Sequence, residues 1–129
     1  MAAKTKVKPE RDFQEVANEY AHRSIETMRE ELDDESQREN ICSEGALSVE
    51  VRTDWYIPGQ DSGKPSEYKI LLGWGGPAAQ ITGELNEYCQ PTTAQFQYQD
   101  WFKPWTTAQT TCDEDATLLE YARQFYFGE

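Results

Sequence analysis

The spacing of the apolar residues changes near Gly45, and that change limits what the chain can fold into. Before it, Phe13, Val16, Ala17, Tyr20, Ala21, Ile25, Met28 and Leu32 recur at helical spacing, which gives a helix one apolar face. After it, Leu47, Val49 and Val51 alternate with Ser48, Glu50 and Arg52, the period of a half-buried strand. The spacing predicts a first helix from near Arg11 or Asp12 to about Leu32 or Glu35. Asp33 to Asn40 loses the stripe and reads as a frayed helical end or a polar connector.

Three more strands follow by alternation: Tyr68–Leu72, about Ala79 to Leu85, and Ala94–Tyr98. The Pro-Gly and Gly-Lys-Pro punctuation between Trp55 and Ser66 marks a long loop. Gly73-Trp74-Gly75-Gly76-Pro77 reads as a hairpin turn. No GKS or GKT follows it, and the next segment has strand period, so a phosphate-binding loop is not implied. Thr106 to Thr111 reads as a threonine-rich connector. Thr111-Cys112-Asp113-Glu114 fits a capping box and opens a last helix, near Cys112–Phe127, that stops at Gly128. The expected fold is α+β: an N-terminal helix, a four-stranded antiparallel meander and a C-terminal helix, with both helices on one face of the sheet.

A length of 129 residues suits one domain with its own core. Residues 1–10 read as a disordered basic leader and residues 11–129 as a single domain. The formal net charge is −12, distributed as +3 over residues 1–11, −7 over 12–43 and −8 over 44–129. Such a body is repelled by phosphate and by anionic membranes and steered toward a basic protein surface. Direct nucleic-acid binding and membrane association are therefore not expected. No apolar stretch reaches the roughly 20 residues of a membrane span, and the basic N-terminus is not followed by a hydrophobic region. Cys42, Cys89 and Cys112 are odd in number and lack a CxxC pair, which suits reduced thiols in a cytoplasmic protein.

The candidate site is the polar side of the first helix. Asp12, Glu15, Glu19, Glu26, Glu30 and Asp33 stand three, four or seven residues apart, so a helix aligns six carboxylates over roughly 31 Å. Most charged helix faces simply meet water. Here few bases stand at four-residue spacing to neutralise the acids, although Glu19 with Arg23 and Glu26 with Arg29 could pair. The spacing approaches that of phosphates along a nucleic-acid strand, about 3.4 Å per strand phosphate. A second candidate is an aromatic edge of Trp74, Trp101 and Trp105. Trp74 and Trp101 follow strands that run in the same direction in a meander, and Trp is enriched in binding hot spots; core packing is their ordinary role.

Other chemistry is poorly provided for. Asp113, Glu114 and Asp115 fall in the first turn of a capped helix, where the helix dipole explains them without a metal. His22 is the only histidine and reads as a surface residue, so catalytic and zinc constellations lack their usual partners. No enzyme activity, metal or cofactor is expected.

Gly75-Gly76-Pro77-Ala78-Ala79-Gln80-Ile81-Thr82-Gly83-Glu84-Leu85, Tyr98-Gln99-Asp100-Trp101 with Pro104-Trp105-Thr106, and the ending Tyr121 to Glu129 resemble small uncharacterised acidic proteins of bacterial phages and integrative mobile elements. The resemblance covers about residues 44–129 and leaves the acidic helix outside. It implies an anti-defence role of the anti-CRISPR or anti-restriction kind and assigns no residue. The expected partner is a basic host protein such as a CRISPR effector, a nuclease or a restriction subunit, met by a non-enzymatic inhibitor or adaptor whose acidic helix mimics DNA phosphates. The alternative is a general protein-interaction domain that binds through its aromatic edge.

Overall fold

The computed structural model describes residues 13–60, 63–73, 77–100 and 104–128. Its elements are α1 (Phe13–Asp33), α2 (Glu35–Arg38), α3 (Ile41–Glu44), β1 (Ser48–Thr53), β2 (Pro65–Gly73), β3 (Ala78–Glu84), β4 (Gln95–Gln99), β5 (Thr106–Thr107) and α4 (Cys112–Ala122). The strands form one antiparallel sheet in the order β1-β2-β3-β4-β5. The fold is thus α+β with a meander, and the described residues form five strands where four were expected. The fifth, in the threonine-rich connector, pairs Thr106 with Tyr98 and Thr107 with Gln97. Two residues are too few to display an alternation.

Two further segments depart from expectation. Asp33 to Asn40, read as a frayed helical end or a polar connector, holds the separate short helix α2, which Asp34 caps by accepting from the Ser36 and Gln37 amides, and α3 follows it with Ile41 buried. The bond from the Ser36 hydroxyl, followed by those from the two amides, holds the Asp34 carboxyl below its usual range. At the other end, α4 stops at Ala122 rather than near Phe127. The amides of Arg123, Gln124 and Phe125 turn back to the carbonyls of Leu119, Tyr121 and Ala122. This turn carries Phe125 and Phe127 into the core, where the Phe127 ring lies 4.8 Å from that of Tyr68. The start of α4 is as expected: Thr111 Oγ1 accepts from the Glu114 amide at 3.2 Å and Glu114 Oε1 from the Thr111 amide at 2.9 Å.

The core lies on one face of the sheet. Opposite residues in an antiparallel pair share a face, so the register Ile70–Ile81–Phe96 and Ala79–Tyr98 stacks one apolar layer across β2, β3 and β4. Ala21, Ile25 and Met28 of α1 and Leu118, Tyr121 and Ala122 of α4 close over it. Phe96 is fully buried, as its alternation implies. The same register places Val49 opposite Ile70 and Val51 opposite Tyr68, on the core side, yet Leu47, Val49 and Val51 are 63%, 37% and 45% exposed. The half-buried reading of this strand is corrected: α1 packs on β4 and β5 and α4 on β4, and β1 lies at the opposite edge, beyond their cover.

Candidate partner-binding surface

At 100° per residue, Glu15, Glu19, Glu26, Glu30 and Asp33 fall within an arc of roughly 60° on α1, and all five are exposed. Ala17, Ala21, Ile25 and Met28, which α1 buries, face the other way. Between Glu15 and Asp33 the charged face runs about 27 Å. Asp12 lies outside the described residues. Among the described residues Glu15, Glu30 and Asp33 make no ion pair, whereas Glu26 pairs with Arg29.

The bases around this face are held mainly toward α4. His22 Nδ1 contacts the Glu114 carboxylate, Arg29 also donates to Thr117 Oγ1 at 3.3 Å, and Arg38 pairs with Glu120 at 2.6 Å. His22 is therefore a surface residue with a structural partner. Glu114 is half of the capping box as well. Its burial raises the carboxyl pKa, but the bond from the Thr111 amide and the contact with His22 outweigh that and leave it below the ordinary value. Asp115 accepts from the Thr110 hydroxyl. Asp113, Glu114 and Asp115 thus belong to the first turn of α4, and among the described residues no group of three or more His, Cys, Asp and Glu side chains could hold a metal ion.

The aromatic edge is only partly within view. Trp74 and Trp101 lie outside the described residues, and Trp105, just before β5, is half-buried. The exposed aromatics that the structure does describe are elsewhere. Trp55 and Tyr56, with Ile57, follow β1, where their loop position gave no periodic signal. Tyr88 and Tyr126 flank a groove of about 500 Å³ between the 86–91 turn and the end of the chain.

The uncovered face of the sheet forms a shallow depression of about 870 Å³. Its charges largely answer each other: Arg52 Nε donates to Glu67 at 2.7 Å and Lys69 lies 3.5 Å from Glu50. The Gln80 amide donates to Gln97 at 2.7 Å, so the neutral side of β4 is tied to β3. The remaining shifted groups are tyrosines, and burial accounts for each first. It pushes Tyr121 up to about 12, and Tyr68 and Tyr98 also rise. The three cysteines are unpaired, with Cys89 buried and Cys42 and Cys112 exposed. No described helix is long and apolar enough to cross a membrane. No protein-family model matches the chain, and no curated protein or solved structure is significantly similar to it.

Proposed function

We propose that the chain is a non-enzymatic inhibitor or adaptor that docks the acidic face of α1 on a basic, phosphate-binding surface of a nucleic-acid-handling protein. The observation that carries this reading is the alignment of Glu15, Glu19, Glu26, Glu30 and Asp33 on one exposed face of a helix whose opposite side is locked into the core. A rigid helix fixes the carboxylates relative to one another before binding, which lowers the ordering cost of association. The charge of Glu15, Glu30 and Asp33, which make no ion pair among the described residues, attracts the kind of surface that phosphate would occupy. An anti-defence role against a CRISPR effector, nuclease or restriction subunit follows from the sequence resemblance together with this chemistry.

The test combines identification of the bound protein with competition. Captured from a bacterial lysate by the intact chain, the partner should be a nuclease, CRISPR or restriction subunit, and nucleic acid should displace the chain from it. Binding should weaken with salt, since exposed charges are screened beyond about 8 Å at physiological ionic strength. Combined Glu19→Lys, Glu26→Lys and Glu30→Lys substitutions should abolish binding while circular dichroism stays that of the parent. A triple variant that binds as tightly as the parent refutes the reading.

A further inference from the structure

The two edges of the sheet are finished differently. At β5 the Gln14 amide donates to the Thr107 carbonyl at 2.9 Å, and Asn18 accepts from the Gln109 amide at 2.7 Å, so α1 covers that end. Among the described residues β1 has no strand on its outer side; it carries exposed Val49 and Val51, preceded by exposed Leu47 and followed by exposed Trp55, Tyr56 and Ile57. Exposed apolar edges of this kind pair with other strands.

The ladder shows which backbone groups are open. The Leu85 amide donates to the Ser66 carbonyl at 2.8 Å, and the Ala108 amide to the Phe96 carbonyl at 2.8 Å. Bonded pairs alternate along an antiparallel ladder, so with the observed register Tyr68–Gly83 and Ile70–Ile81 are bonded pairs. Glu67, Lys69 and Leu71 then turn toward β1 and meet Arg52, Glu50 and Ser48. The N–H and C=O of Val49 and Val51 are left pointing away from the sheet.

We propose that a second copy of this chain occupies the edge, paired antiparallel through β1 about a two-fold axis at Val51, which joins the two sheets into one of ten strands. Outward-pointing groups must pair with each other, so the axis falls at Val49, Glu50 or Val51. An axis at Glu50 sets two carboxylates opposite each other, which is destabilising. An axis at Val49 sets Glu50 against Ser48 and uses neither charge. The axis at Val51 sets Glu50 of each copy opposite Arg52 of the other, twice over, places Val49 against Thr53, and brings Trp55 of one copy up to Leu47 of the other. Glu50 and Arg52 each have one partner within a copy, Lys69 and Glu67, and this axis gives each a second of opposite sign, so charge complementarity selects this register.

A pair of six-residue strands alone is smaller than a stable interface, which buries about 800 Å² per partner. Trp55 and Tyr56 add roughly 150–250 Å² each when covered, and Leu47 and Ile57 extend the patch. Each copy brings a net charge of −12, so long-range repulsion opposes the pairing and salt should strengthen it, the reverse of its effect on binding through α1.

Sedimentation of the full chain across a concentration series should give a mass twice the 14.9 kDa of one copy, with tighter association at high salt. Val51→Pro removes an outward N–H without breaking a β1–β2 bond and should leave a monomer with the parent's circular dichroism. Glu50→Arg or Arg52→Glu alone should raise the dissociation constant about tenfold, and mixing these two single variants should restore association, because the hybrid pairs opposite charges. A parent chain that stays monomeric up to millimolar concentration overturns the proposal. So does a dimer that Val51→Pro and both charge reversals leave intact, or an edge that captures a foreign extended peptide while the chain alone remains a monomer.

Discussion

At Gly83 a hydrogen stands where any other residue would place a carbon. A Cβ there would lie 2.0 Å from the Thr93 carbonyl oxygen and 2.8 Å from the Tyr68 ring, while the Tyr68 hydroxyl donates to that same carbonyl at 2.6 Å. Neither neighbour can retreat without breaking the bond, so Gly83→Ala should destabilise the fold by about 1–3 kcal/mol, read as a lower denaturant midpoint. Glu114 supplies a second residue-scale expectation. Its folded pKa lies below the ordinary 4.5, so its contribution is complete above that value and is lost as pH falls through the folded value. In thermal melts from neutral pH down to about pH 2, Glu114→Gln should melt below the parent at neutral pH, and the gap should close in acid. The capping role of Glu114 was legible in the spacing Thr111-x-x-Glu114. Its contact with His22 was not, since the two residues stand 92 apart in sequence.

At the scale of elements, the clearest signals were long periods and local chemistry. α1 repeats its apolar step over 21 residues, enough turns for the stripe and the acidic face to declare themselves. The start of α4 was marked by a motif whose two bonds are local. Thr111→Ala should remove one of them and lower stability by about 1 kcal/mol, which a chemical denaturation curve resolves. What the pattern could not give was set by neighbours distant in sequence. Phe125 and Tyr126 extend the stripe of α4 on paper, yet the chain turns after Ala122 and Phe127 packs on the Tyr68 ring. Leu47, Val49 and Val51 alternate as a buried strand would; their exposure follows from the strand order and the placement of the helices, which no local window contains. The alignment of Glu15, Glu19, Glu26, Glu30 and Asp33 was legible for the opposite reason, since one helix contains these five.

The whole molecule presents two surfaces of different physics: an acidic helix on the side of β4 and β5, and an apolar strand edge at β1. On the two proposals salt should act in opposite directions, so one titration of ionic strength would separate binding through the first from self-association through the second. These surfaces are held in relation by helices drawn from opposite ends of the described chain, with α1 bound to α4 through His22–Glu114 and Arg29–Thr117 and to the β5 region through Gln14 and Asn18. Contacts that span about ninety residues carry a larger loop-closure cost than the local hairpins. Within this chain α1 precedes α4, so on the ribosome Ala21, Ile25 and Met28 are made before Leu118, Tyr121 and Ala122, which join them in the core. Until α4 follows, α1 is a helix with one apolar face open, and the carboxylates crowded on its other side should oppose its association with like chains by mutual repulsion.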